Sequence, residues 1–490
     1  MSAAYTPVYE RRRQQLPPID YTQVDYVGLM EDNLVAIPQY SDRWTDRNAN
    51  DCGMVILRCD ARSADKLAYY LDARTNELYL DTCRQRDSVF DLVKLTGYKP
   101  RLAAGGTATI RVTLTTAAST GVILSKWWQA RSAASGTGYI MALIDEAVIP
   151  AGSTTVDAFA VQGQRYSETF EGDGTQGQTF TLSRTKVCAT GFVVDGEEWD
   201  EVESLVGQDA DAKVYVVRLL WDDTVQIETG DGVEGAVVGS GASAVATYLV
   251  TLGTGGNDIG AGAITVPVDP VYDGETQIAA SAMIVTNLEA VTGGEDEESD
   301  AEIKRNAPRC THALYRIGPA NDTRALIEAF PGVQRAFVLD VNNYSDIVRY
   351  HYEQVYVIPA GGGDMSPALE VHLRVFIDER KEPGFEVDLS TAGYVAVDLS
   401  VIVYRLRGYT DAEVITAVTE AVQDYFNPDQ EIGTVDWMRD VDPEEIDGII
   451  DRLDGVSYTE IVTPAETVEI GPGQFPVLGT LTVTVLEATD

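Results

Sequence analysis

The spacing of apolar positions changes character several times along the chain. Between residues 51 and 96 it has a helical period. Leu57, Ala61, Ala64, Leu67, Ala68 and Leu71 recur at threes and fours behind Asp51, which is suited to cap a helix. Val89, Leu92, Val93 and Leu95 repeat the pattern up to a stop at Gly97. So much aliphatic and tyrosine surface is expected to cover something larger, either a sheet of this chain or the helices of another. From Ala103 to about Pro270 the texture turns to Gly, Thr, Ser and Val. The alternation TATIRVTL at 107–114 and turns at Gly105-Gly106, Gly136–Gly138 and Gly172–Gly174 predict a β-rich region. Further on, Ala325, Leu326, Ala329 and Phe330 mark a short amphipathic helix, with Asn321 or Asp322 as its cap. Pro331-Gly332 stops it, and Val333, Ala336, Val338 and Leu339 predict a buried strand.

The last third alternates and then coils. LEVHLRVFIDE at 369–379 places Leu369, Val371, Leu373, Val375 and Ile377 on one side, which predicts a strand. Val397, Leu399, Val401 and Val403 do the same within 396–406. Thr410 and Glu413 have capping-box spacing ahead of a Val414, Val418, Val422, Tyr425 stripe. Asp442, Pro443 and Glu445 open another helix, with Ile446, Ile449, Ile450 and Leu453 inward and Asp454-Gly455 as its stop. Strand-like runs follow at 457–462 and 480–485. The order β-β-α-α-β-β predicts an α/β domain with helices on one face of an antiparallel sheet. IDGIIDRLDGV at 446–456 echoes TRALIEAFPGV at 323–333, a repeat of helix, breaker, Gly-Val and strand.

The chain therefore reads as multidomain α+β, as its length of 490 residues requires. An N-terminal arm and helical region occupies 1–100 and a β-rich domain 101–270. A helical/αβ connecting domain follows at 271–368, and a C-terminal α/β assembly domain at 369–490.

Charge narrows the function. With 77 acids against 36 Lys plus Arg, the formal net charge of −41 repels phosphate backbones and anionic lipid. Nucleic-acid and membrane binding are thereby disfavoured, and partners carrying basic patches favoured. Arg11-Arg12-Arg13 stands out in so acidic a chain, as a solvated tail or as an arm that docks on an acidic neighbour. The five cysteines lack CxxC spacing, which fits thiols in a reducing cytoplasm better than a disulfide framework. No stretch has signal-peptide or transmembrane character.

Candidate chemistry is sparse. The three histidines, His312, His351 and His372, do not form a ligand set, and His372 is expected on the outer face of its strand. There is no G-x-S-x-G elbow. Glu197, Glu198, Asp200 and Glu201 flank Trp199 and raise the question of glycoside hydrolysis. Trp127-Trp128 raises that of sugar binding by a tail fibre or adhesin, and the Gly-Asp-Gly turns that of calcium. In so acidic a chain such clusters are expected without chemistry, and we expect no enzyme, cofactor or metal.

The run GGEDEESD at 293–300, taken with the later Pro331-Gly332-Val333, resembles the baseplate J-like family, whose members build baseplate wedges of contractile phage tails and related injection machines. The matching residues are Gly293, Gly294, Glu295, Glu297, Ser299, Asp300, Pro331, Gly332 and Val333. Trp44, Thr45, Asp46, Asn48, Asp51, Gly53, Tyr70, Asn76, Glu77, Gly97, Tyr98 and Pro100 resemble the family's N-terminal pattern, with Cys52 where Pro is usual. Gly230, Asp231, Gly232, Gly235 and Asn257 fit its GDG and GN turns, with Thr229 in place of an aromatic residue. Gly433, Leu453, Gly455, Val456, Pro464 and Gly479 fit its C-terminal domain.

The resemblance implies a structural wedge subunit in a sixfold ring around the hub, transmitting the change that triggers sheath contraction. Its partners would be other wedge subunits, a second copy of itself, and sheath-initiator-like and hub proteins. It would be made and assembled in the host cytoplasm and reside in the virion tail.

Overall fold

A computed structural model describes residues 25–41, 43–133, 138–342, 344, 347, 349–427 and 436–487. The Arg11–Arg13 arm, most of the predicted turn at Gly136–Gly138, and Gly433 lie outside the described residues. The chain forms two compact units. The first comprises residues 1–100 with 220–222 and 299–308, and the second the remainder.

In the first unit α1 (Tyr26–Tyr40) lies along α2 (Cys52–Asn76), and α3 (Arg86–Lys94) follows. Asp25 caps α1 by accepting from the Gly28 N–H at 2.6 Å. Asp51 caps α2, accepting from Gly53 and Met54. α3 buries Val89, Phe90 and Val93 on one face. α1 buries no residue, and α2 buries only Met54, Ala61 and Asn76. Much of the apolar surface of α2 is exposed, including Ile56, Leu67, Tyr70 and Leu71.

The second unit holds the β-rich region, in three sheets. One runs β14 (Ile264–Pro267), β3 (Gln129–Ser132), β4 (Ile140–Leu143), β6 (Thr155–Gln162), β1 (Thr107–Leu114), β17 (Met283–Asn287). The second runs β7 (Gln164–Glu171), β13 (Ser243–Val250), β9 (Val187–Val194), β10 (Glu197–Glu201), β11 (Val214–Leu219), β12 (Val225–Thr229), β8 (Thr179–Thr181). A small third sheet runs β16 (Thr276–Ile278), β15 (Val271–Asp273), β2 (Val122–Leu124), β5 (Ala147–Ile149). Ile110, Val112, Leu124, Trp128, Met141 and Ile149 fill the core around the first and third sheets. Because β17 pairs with β1, the β-rich region reaches Asn287, beyond the expected limit at 270.

After α4 (Asp300–His312), α5 (Ala320–Glu328) leads into a sheet of β18 (Val333–Leu339), β19 (Tyr352–Pro359) and β20 (Glu386–Thr391). Neither Asn321 nor Asp322 caps α5. Pro319 holds the cap position without a side-chain bond, and Asp322 lies in the first turn, where the helix dipole favours an acid.

Residues 369–379 are not a strand. They belong to α6 (Pro367–Arg380), capped by Ser366, whose hydroxyl accepts from the Leu369 N–H at 3.2 Å. The topology explains the correction: β19 and β20 are parallel neighbours, and a parallel pair needs a crossover, here α6. The alternating set contains its own helical stripe, so Leu369, Leu373 and Ile377 are buried while Val371 and Val375 are exposed. His372 is exposed on this helix rather than on a strand face. The expected boundary at 368/369 thus falls inside α6.

The last sheet is mixed, not antiparallel. Its centre is β21 (Gly393–Arg405), antiparallel to β22 (Val456–Thr463) and parallel to β23 (Gln474–Glu487). Between β21 and β22 come α7 (Asp411–Tyr425), opened by the Thr410–Glu413 capping box, and α8 (Pro443–Ile450), capped by Asp442. Val414, Val418, Val422, Ile446 and Ile450 pack with Val397, Leu399, Val401 and Val403; Ile449 and Leu453 are partly buried beside them.

The helical correction has a direct test. Leu373→Asp should unfold the α6 region, because it buries an unpaired charge, whereas Val371→Asp should change stability by less than about 0.5 kcal/mol. A strand with these residues on one face would make the two equally damaging in urea unfolding. Ile450→Ala should lose about 2–5 kcal/mol, and the exposed Ile415→Ala almost nothing.

Candidate functional site

The acidic run at 293–298 is where separate parts of the second unit are tied together. Gly294 donates its N–H to Asn257 Oδ1 at 2.8 Å, and Asn257 Nδ2 donates back to the Gly294 carbonyl at 2.9 Å. A Cβ on Gly294 would come within 2.5 Å of the Gly253 carbonyl oxygen and 2.9 Å of Asn257 Oδ1, so only glycine fits. Gly293 donates to the Ala360 carbonyl at 2.8 Å, and Ala360 donates to the Gly332 carbonyl at 3.0 Å. Glu295 then accepts the Gly332 N–H at 3.1 Å through Oε2, and its carboxylate pairs with the Arg101 guanidinium. Gly332 adopts φ +87°, a left-handed conformation that lets its N–H turn back toward Glu295.

The neighbouring acids are engaged in the same way. Asp296 meets Lys186 Nζ at 2.6 Å, Glu297 accepts the Lys186 N–H at 2.6 Å, and Glu298, wholly buried, accepts the Arg101 N–H at 2.9 Å. Each carboxylate of this run is thus held by a cation or N–H of its own chain. The arrangement is a clasp, joining the Gly253–Asp258 turn, the start of the first sheet, and the α5–β18 connection. Pro331 and Gly332 make that connection, and Val333 enters β18 buried.

The corresponding connection from α8 to β22 uses Gly455 at φ +91°, where a Cβ would meet the Tyr409 ring at 2.7 Å. Val456 is buried behind it, and Ile449 and Leu453 lie on the flank of the same core.

The GDG turn is built by its own backbone. Asp231 accepts from the Val233 and Glu234 N–H groups, each at 2.8 Å, which holds its carboxyl below the usual range. A Cβ on Gly230 would lie 2.1 Å from Gly235, and Gly232 takes φ +85°. Asp173 repeats the arrangement with Thr175. These are turn geometries, and among the described residues no group of three or more His, Cys, Asp or Glu could hold a metal.

In the first unit, Trp44 Nε1 donates to the capping Asp51 at 3.1 Å, and a Cβ on Gly53 would collide with the Trp44 ring at 2.4 Å. Asp46 accepts the Asn48 N–H at 2.8 Å. The buried Asn76 donates to the Asp72 carbonyl at 2.8 Å, and Glu77 accepts from Arg84 and Gln85 at the start of α3. Tyr70 is different, standing exposed with its ring against that of Tyr69.

Residues that suggested chemistry are dispersed or packed. Trp199 is buried against Phe192, while Glu197, Glu198, Asp200 and Glu201 on β10 are exposed, Glu201 accepting from the Thr190 hydroxyl at 2.9 Å. Trp127 and Trp128 are buried, so they provide no exposed platform for a sugar ring. Sequence reasoning missed Arg101, Lys186 and Ala360, which complete the clasp from distant positions and carry no local pattern.

Two family models match the chain. Residues 25–95 match "Bacteriophage baseplate protein, N-terminal domain", and residues 397–484 match "Baseplate J-like protein C-terminal domain". The chain is also similar to the anti-feeding prophage (AFP) baseplate, solved by cryo-EM and 6-fold symmetrised. That match has 14% identity, covers 91% of this chain and 89% of the other, and has a TM-score of 0.34. No curated protein matches the chain significantly.

Glu295→Ala removes one ion-pair partner of the largely buried Arg101 and the acceptor of the Gly332 N–H, so it should destabilise the second unit by about 1–3 kcal/mol. Asn257→Ala, which deletes two hydrogen bonds and strands the Gly294 N–H, should cost about 1–3 kcal/mol. Chemical unfolding monitored by tryptophan fluorescence measures both, and wild-type stability in either variant would show that the clasp is not needed.

Proposed function

We propose that this chain, a baseplate J-like protein, is a wedge subunit of the contractile tail baseplate, with the helices of its first unit docking on helices of another baseplate chain. The observation that carries the reading is the apolar stripe of α2. Ile56, Leu67, Tyr70 and Leu71 fall within one helical face of roughly 100° and are all more than half exposed. A monomeric protein would have little use for such a face. A partner helix would bury it as an amphipathic helix does in a groove.

The stripe lies within the segment that matches the baseplate N-terminal domain. The C-terminal α/β domain would meet a second copy or a neighbouring wedge chain, closing a sixfold ring around the hub, with sheath-initiator-like proteins as further contacts. The clasp at 293–298 would keep the β-rich and α/β parts moving together, so that a shift imposed at one interface reaches the next as a change of ring state rather than as local melting. The net charge of −41 favours solubility before assembly and suits basic surfaces on partners. Its place would be the virion tail, after synthesis and assembly in host cytoplasm.

Co-expression with the proteins encoded beside it should yield a discrete hetero-oligomer by size-exclusion chromatography with light scattering. Leu67→Glu combined with Leu71→Glu should abolish that complex while changing the chain's own stability by less than about 1 kcal/mol. An unaltered complex in the double variant would place the interface elsewhere. A chain that ignores every neighbour would remove the wedge reading.

A further inference from the structure

One buried acid serves neither the clasp nor the helical face. Glu353, the second residue of β19, is 1% exposed, and among the described residues neither of its carboxyl oxygens has a hydrogen-bond partner. The hydroxyl of Thr323 on α5, itself fully buried, lies beside it without forming a bond of normal geometry.

The charged groups around it come from three elements. α5 brings Asp322, whose other neighbour is His312 at 3.7 Å. Asp340 comes from just beyond the end of β18, whereas the buried Arg335 of that strand lies opposite Ile358 and pairs with Asp436 at 3.5 Å. Glu386 and Asp388 flank the paired position on β20, and they are engaged by Arg349 and by the Tyr352 hydroxyl. The two groups that act directly on Glu353, Asp340 and Asp322, are both acids.

A carboxylate in such a place is desolvated and repelled at once, whereas a neutral carboxyl is tolerated. We propose that Glu353 is a proton-operated latch: protonated, it lets α5 close over β19, and on releasing its proton to solvent it loosens α5 from the sheet. Burial, with Asp340 and Asp322 adding to it, pushes the carboxyl up to about 7 from an ordinary 4.5, and Thr323 draws it part of the way back. The folded chain therefore holds this proton more tightly than the unfolded one. The stabilisation is complete below about pH 4, declines as pH rises toward about 7, and is absent above that. Loosening α5 bears on the clasp, because α5 runs directly into Pro331 and the Gly332 N–H held by Glu295.

The test uses the full chain. Thermal unfolding of wild type, Glu353→Gln and Asp322→Asn is followed from about pH 5 to about pH 9, with hydrogen exchange of the α5 amides measured alongside. Wild type should lose stability relative to Glu353→Gln as pH rises through the window, and its α5 amides should become less protected than those of the variant. Asp322→Asn should move the transition to lower pH, since one repelling charge is gone. Parallel curves for wild type and Glu353→Gln would overturn the proposal, as would a Gln variant less stable at every pH. Should Glu353→Gln fail to fold, infrared spectra of wild type decide. A protonated-carboxyl band that fades between about pH 6 and about pH 8 supports the latch, and its absence overturns it.

Discussion

The reciprocal pair between Asn257 and Gly294, continued through Glu295 to Arg101 and Gly332, is the constraint on which the second unit depends. It joins segments that are far apart in sequence: the turn after β13, the strand-like start at 101–107, the acidic run, and the connection from α5 to β18. Each contact is an ordinary hydrogen bond or ion pair. Their placement at one point explains why the run carries both glycines and carboxylates. The glycines permit backbone approach that no Cβ would survive, and the acids satisfy N–H groups that the irregular connections leave over.

The two units meet opposite problems. The second unit encloses its apolar residues in sheets and in the α/β packing of α7 and α8 against β21. The first caps α1 and α2 with Asp25 and Asp51 and then leaves a stripe of α2 exposed. That helix is terminated at Asp51 and Glu77 and yet buries only Met54, Ala61 and Asn76. The carboxylates of the clasp and turns are engaged by cations or N–H groups, whereas among the described residues neither oxygen of the buried Glu353 has a hydrogen-bond partner.

Much of this is legible in the sequence. Asp51, the Thr410–Glu413 box and the stops at Gly332 and Gly455 act where their spacing placed them, because caps and breakers work through bonds within a few residues. The stripe Val414, Val418, Val422, Tyr425 is buried as its period requires. The clasp was visible only as an acidic, glycine-rich run that resembled a known family. Arg101, Lys186 and Ala360 could not be assigned to it, since nothing local distinguishes them from other surface or loop residues.

The division follows the range of the interactions. Sequence by itself determined the helices with explicit caps, the turn glycines, the acidic surface and the likeness of both ends to baseplate proteins. Tertiary structure decided whether 369–379 would coil or extend, because its apolar positions satisfy both periods and only the parallel pairing of β19 with β20 demands a crossover helix. It decided the mixed order of the last sheet, with β22 and β23 on opposite sides of β21. It also decided that Glu353 would be sealed among acids, a consequence of which strands and helices meet, and hence of contacts that no local pattern encodes.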